Sequence, residues 1–284
     1  MSIDIARGSD AVSPTAHYTG QTWVRNGLSH PGLATWQGRL FFDALRPTMA
    51  VSRALGGPTL EGLLIARHRI IDRRLADAIG AGVIGQVIEP ACGMSPRGWR
   101  FARRWGDHLT YIEADLPAMA RRKREALERI GSLSEHHRVL EVDVLRDDGA
   151  ASLASLAATL DPAVGTAIIT EGLLIYLSQA DVIAFWQRAA TALQRFPSGL
   201  YLADLRLAGP GRDPVEEAFN RALSVFVRGR VHPHFSGEDE ATARLVEAGF
   251  DDALLHRGDR HPAAAAVRGD PGAGLVRVIE GTTG

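Results

Sequence analysis

Between Gln86 and Asp204 the chain alternates short apolar runs with stretches of helical period, and no other feature constrains its fold so tightly. Gln86-Val87-Ile88-Glu89 has the length and composition of a strand, and a helical pattern follows from Arg97 to Trp105. The second run, Leu109 to Asp115, leads into a charged helix that Pro117 opens and Gly131 ends. Arg138 to Asp143 is the third, with a helix over Ala150 to Leu160. Thr166 to Thr170 is the fourth, with a helix over Ser178 to Phe196, and Gly199 to Asp204 is the fifth. Apolar runs this short are strand-like, and a helix after each supplies the crossover that joins parallel neighbours. The spacing therefore predicts an α/β fold with a mostly parallel sheet and helices on both faces.

The flanks read differently. Residues 1–16 are polar and are expected to be a flexible N-terminus. Residues 17–64 form a lid of short helical pieces, punctuated by Gly20, Gly27, Pro31, Gly32, Pro47 and Pro58, and a longer helix runs from Thr59 to Gly80. After the fifth strand, residues 206–236 are an insertion with a helix-like Pro214 to Phe226. A helix over Glu238 to Ala248 and two short strands, Ala253–His256 and Leu275–Glu280, complete seven strands, with a loop over 258–274. Residues 17–284 are thus expected to form one domain. With 32 basic and 33 acidic side chains there is no general attraction to nucleic acid or an anionic membrane. Cys92 is the only cysteine, which excludes an intrachain disulfide and a thiolate metal cluster. No apolar run approaches the ~20 residues of a membrane span, and Asp4 and Asp10 read against a signal peptide. A cytoplasmic monomer or homodimer is the expectation.

Four short signals fall at strand C-terminal ends, where doubly wound sheets bind ligands. Glu89-Pro90-Ala91-Cys92-Gly93 places a glycine where backbone can approach a ligand, without the glycine fingerprint of a dinucleotide site. Glu113-Ala114-Asp115 offers a carboxylate to a ribose diol, or two acids to solvent. Asp143 closes the third strand and either accepts from an adenine amine or caps a helix. Glu171 is an acid inside an apolar segment and needs a partner, either a methionine ammonium or an arginine. Together they suit ribose, adenine and an ammonium with no phosphate, which is the chemistry of S-adenosyl-L-methionine.

The strings Ile88 to Gly98, Tyr111 to Pro117 with Lys123, and Thr170 to Leu177 resemble the leucine carboxyl methyltransferase family. Tyr18 to Asn26 and Arg67-His68 are similar to its bacterial branch associated with tetracenomycin-type polyketide O-methylation. The resemblance implies a Rossmann-like class I methyltransferase fold with an N-terminal helical lid. It implies that Arg67 holds the methionine carboxylate, Gly93 lies under the methionine, and Asp115 takes the ribose. Asp143 and Val144 would flank the adenine and Glu171 would meet the amino group, with Glu89 in the same cofactor-binding set. Ser95 stands where the leucine carboxyl branch often has Asp, which leans toward a metabolite rather than a protein tail.

Methyl transfer from a sulfonium needs an aligned acceptor and excluded water. An ionised carboxylate needs no base, whereas a phenol gains from a histidine. His17, Tyr18, His232 and His234 are the candidates for that chemistry. Trp23, Arg25, Tyr176, Phe226 and Arg228 are candidates for holding a small-molecule acceptor, by aromatic walls or an arginine fork. Surface histidines, plain core aromatics and structural ion pairs are the ordinary alternatives. His232-Pro233-His234 alone does not make a metal site, so none is expected. The leading reading is O-methylation of a polyketide-like aromatic metabolite at a carboxyl or phenol. The alternatives are carboxyl methylation of a protein or peptide C-terminus and a non-catalytic S-adenosylmethionine-binding protein.

Overall fold

The computed structural model describes residues 14–208 and 234–284. The strands are β1 (Gln86–Pro90), β2 (Thr110–Asp115), β3 (His137–Glu141), β4 (Thr166–Thr170), β5 (Gly199–Leu205), β6 (Asp252–Arg257) and β7 (Arg277–Thr283). They form one sheet in the order β3-β2-β1-β4-β5-β7-β6. The first five pair parallel, and β7 runs antiparallel between β5 and β6. The chain steps outward from β1 to β3, then returns to the other side of β1 at β4. The strand order reverses there, and the reversal opens a crevice at the C-terminal ends of β1 and β4.

Alternation along the strands sorts the core into two layers. Ile88, Ile112, Ile168, Tyr201 and Ile279 pack on one face with Phe185 and Trp186 of α7 (Gln179–Leu193). Val87, Tyr111, Ile169, Leu202 and Val278 pack on the other with Leu63, Ile70 and Ile71 of α3 (Leu60–Gly80) and Phe101 of α4 (Arg97–Trp105). Each fully buried Leu or Ile stabilises the fold by about 1.5–3 kcal/mol, so a one-residue slip in register would cost many such terms. The remaining helices are α1 (Pro14–Arg25), α2 (Trp36–Ala54), α5 (Pro117–Arg129), α6 (Leu153–Ala157), α8 (Glu238–Glu247) and α9 (Pro271–Gly274).

The N-terminal third departs from its expected pattern. Instead of short pieces, α1 starts at Pro14 and runs through Gly20, and α2 runs for 19 residues through Pro47. Pro47 is exposed, so water can satisfy the carbonyl that its missing N–H leaves unpaired. Gly38 is required where the two helices cross, since a Cβ there would lie 2.5 Å from the His17 carbonyl oxygen. The stretch 258–274, expected as a loop, contains a 3-10 turn at Pro262–Val267 and α9. The expected helix over 150–160 contracts to α6, started by Ser152, whose hydroxyl accepts from the Ser155 N–H. Among the described residues no helix is long and apolar enough to cross a membrane.

Candidate functional site

A cavity of about 390 Å³ opens at the strand reversal, beyond the C-terminal ends of β1, β2, β4 and β5. Its floor is the turn after β1. Ala91 and Gly93 both take left-handed backbone, with φ of 54° and 50°. For Ala91 that conformation costs roughly 1–2 kcal/mol, a strain of the kind that collects at functional sites. A Cβ on Gly93 would meet nothing within 4 Å, so its backbone conformation rather than crowding asks for glycine there. Lys123 of α5 fastens the turn by donating to the Ser95 carbonyl oxygen.

Toward β2 and β3 the cavity is lined by two acids that make no ion pair among the described residues. Asp115 accepts from the Gly93 N–H and from the Leu116 N–H, both at 2.8 Å. Burial pushes its carboxyl above the usual Asp value, against the pull of those two N–H groups and of Lys123. Asp143 accepts from the Leu145 N–H at 3.0 Å, an Asx turn that ties the loop after β3. No helix begins there, so the capping alternative does not apply. Val142, Val144 and Leu145 complete this wall. Glu113, two residues before Asp115, is wholly buried away from solvent. It pairs with Lys123 and with His137 Nε2, the latter at 2.8 Å.

Toward β4 and β5 the site is a buried ionic network. Arg67 of α3 donates from Nε to Glu171 Oε1 at 3.0 Å and from Nη1 to Asp204 Oδ2 at 2.9 Å. Gly172, at φ 75°, lets that guanidinium lie against backbone, and its N–H donates to Asp204 Oδ1 at 2.5 Å. Arg97 of α4 is fully buried and serves three acids. It donates to Glu89 at 2.6 Å, to Asp72 at 2.8 Å, and to Glu171 Oε2. The Tyr111 hydroxyl donates to the other Glu89 oxygen at 2.6 Å. Burial alone would raise the Glu171 carboxyl, but facing His68, Arg97 and Arg67 hold it well below the usual range.

Of the expected site residues, Arg67, Glu89, Gly93, Asp115, Asp143, Val144 and Glu171 all line this cavity, as do Tyr18, Trp23 and Tyr176. Both oxygens of Glu89 are already engaged, which makes it a support for Arg97. Glu171 has the arginine partners its burial calls for. His17 turns from the cavity, with Nδ1 2.8 Å from the Thr35 hydroxyl. Arg25 is exposed and lies over the Phe42 ring, 4.7 Å from its centroid. His234 is buried, and its Nε2 donates to the Leu174 carbonyl at 2.8 Å. His232, Phe226 and Arg228 lie outside the described residues. Sequence reasoning missed Asp204 and the joint role of Arg97 and Asp72. Asp204 had a legible signal, being an acid near the end of an apolar strand. Arg97 and Asp72 sit in charged helical sequence and had none.

The sequence profile described as Leucine carboxyl methyltransferase matches residues 29–189. A protein of Mycolicibacterium paratuberculosis, named provisionally as an S-adenosyl-L-methionine-dependent methyltransferase, is 32% identical over 208 residues. The alignment covers 71% of this chain and 58% of that protein, so the chain spans under two thirds of its relative's length. Among solved structures, a provisionally named methyltransferase from Thermobifida fusca superposes with a TM-score of 0.64 at 14% identity, covering 94% of this chain and 93% of the other. A DUF574 family protein from Streptomyces avermitilis gives 0.63 at 15% identity, covering 94% and 97%. At such identities the two structures speak to the fold alone.

Proposed function

The chain belongs to the leucine carboxyl methyltransferase family, and from that premise we propose that it is an S-adenosyl-L-methionine-dependent methyltransferase acting on an oxygen of a small metabolite. The observation that carries the reading is Asp115, a carboxylate at the end of β2 that lines the cavity held by two backbone N–H groups, with no ion pair among the described residues. Such an acid suits a neutral diol and repels a phosphate. The residues around it fit the rest of the cofactor. Asp143 and Val144 stand where the adenine would lie, and Gly93 leaves room above the turn. Arg67 offers its guanidinium to a carboxylate, and Glu171 and Asp204 offer acceptors to an ammonium. Around these groups Arg67, Arg97 and Arg100 pair with Asp72, Glu89, Glu171 and Asp204, and Arg206 also lines the cavity. Bound there, S-adenosyl-L-methionine supplies an electrophilic methyl group.

Leu60, Leu63, Leu64, Tyr18, Trp23 and Tyr176 give the cavity an apolar wall suited to a flat aromatic acceptor, in keeping with a polyketide-like metabolite. Burial, with Glu61 nearby, pushes the Tyr18 hydroxyl up to about 12, so it stays protonated at neutral pH and is no base. Among the described residues no imidazole lines the cavity. A Tyr18 that stays protonated favours an acceptor that is ionised already, a carboxylate, over a phenol.

Calorimetric titration with S-adenosyl-L-methionine and with NADH, on the native chain and on Asp115→Ala, tests the reading. The expected result is binding of the first ligand only, weakened about ten- to a hundredfold by the substitution, since hydrogen bonds to a charged group contribute ~1.5–3 kcal/mol. A native chain that does not bind S-adenosyl-L-methionine overturns it.

A further inference from the structure

His68 is one helical position beyond Arg67 and is completely buried, yet it is not among the residues lining the cavity. Four charged groups and one ring surround it. From β4's end, Glu171 Oε2 lies 2.8 Å from Nδ1. From α4, Arg100 Nη2 lies 2.7 Å from Nε2, and Arg97 Nη2 lies 3.0 Å from Nδ1. On α3 itself, Asp72 Oδ2 is 3.6 Å from Nε2. From α1, the Trp23 indole stacks on the imidazole, with centroids 4.1 Å apart and planes 27° apart.

A carboxylate only accepts, so the Nδ1 facing Glu171 carries a proton and donates to Oε2. Arg97 Nη2, 3.0 Å from the same nitrogen, has Glu171 Oε2 as its own acceptor. This donation divides the labour at Glu171. Oε2 is taken by His68 and Arg97, while Oε1 is left to Arg67. Arg67, bound from Nε and Nη1, therefore keeps its plane fixed at the cavity wall. The same imidazole seats Trp23, which lines the cavity from α1.

We propose that His68 is a positioning residue for the amino-acid end of the cofactor, acting through Glu171 and Arg67 while its ring seats Trp23. The inference rests on the function proposed above. Its test compares S-adenosyl-L-methionine with 5′-methylthioadenosine, which has the nucleoside and lacks the amino-acid end. Binding of both by the native chain checks the underlying reading separately. His68→Phe keeps a ring under Trp23 and removes both hydrogen bonds. It is expected to weaken S-adenosyl-L-methionine at least tenfold and to change methylthioadenosine affinity less than threefold. His68→Asn restores an N–H donor at the Nδ1 position and is expected to recover most of the lost affinity. If His68→Phe does not fold, His68→Asn against His68→Gln gives the same contrast, because the Gln amide reaches the Nε2 position instead. Equal weakening of both ligands, or no weakening of either, overturns the proposal by making His68 merely structural.

Discussion

The two ends of the cavity are built on opposite electrostatic plans. At β2 and β3, Asp115 and Asp143 have no ion pair among the described residues and are held by backbone N–H groups, Asp115 by those of Gly93 and Leu116 and Asp143 by that of Leu145. At β4 and β5, Glu171 and Asp204 are locked into arginines that reach back to Glu89 and Asp72. The first plan leaves carboxylate lone pairs to accept from neutral hydroxyl and amine groups of a ligand. The second places charge in a nearly dry site, where it is tolerated only because every ion is paired. Mutations at the first end should therefore change binding alone, and mutations at the second should cost stability as well as binding.

Arg97→Ala is the severest test of that contrast. It takes one partner from each of Glu89, Asp72 and Glu171 in a buried site. Breaking a buried pair typically costs about 3–5 kcal/mol, a Tm loss on the order of 10 °C for a chain of this size. Arg97→Lys should not rescue it, because one ammonium lacks the planar fork that reaches three acids at once. A thermal melt of either variant within ~2 °C of the native chain would mean that the network stabilises far less than its burial implies.

Asp143→Ala sits lower on the scale. The acid makes one backbone hydrogen bond in an exposed loop, so its loss should leave Tm within ~2 °C. The affinity for S-adenosyl-L-methionine should fall about three- to tenfold, the size of one net hydrogen bond. A melt that drops as far as that of Arg97→Ala would erase the distinction between the two ends.

The contrast also explains what the sequence could reveal. Asp115, Asp143 and Glu171 stood out because Asp115 closes β2 and the other two follow within two residues of the ends of β3 and β4, so the local pattern suffices to place them at the sheet's C-terminal edge. The sheet was legible for the same reason, down to identical bounds for β4 at Thr166–Thr170. Asp72, Arg97 and Arg100 were not legible. Acids and arginines three or four residues apart on helices look like a solvated face, and only the packing of α3 and α4 on the same face of the sheet buries them together. The long α2 was hidden in the same way. Its Pro47 read as punctuation, yet it lies within the helix and faces solvent. Local pattern thus located strands and strand-end acids, while tertiary packing decided which charges are structural.

The smallest effect to look for is in the pH dependence, where the two ends should separate on acidification. The Asp115 carboxyl is raised by burial, so it takes up a proton above ~4, the ordinary Asp value. An acid whose folded pKa is raised gains stability as pH falls through that pKa, so its protonation does not unfold the chain. It does remove an acceptor from the cavity. Asp72 behaves in the opposite sense. Burial would raise its carboxyl, but His68, Arg100 and Arg97 bring it down to about 2. Its contribution to stability is full above the unfolded value near ~4 and is lost only as pH falls through about 2. From neutral pH down to ~4, S-adenosyl-L-methionine affinity should therefore decline a fewfold with no loss of Tm from either carboxyl. Calorimetry and thermal melts across that range measure both, with Asp115→Asn as the variant in which the affinity no longer follows this titration. Affinity and Tm falling together, or a slope unchanged in Asp115→Asn, would assign the pH response to the ionic network instead.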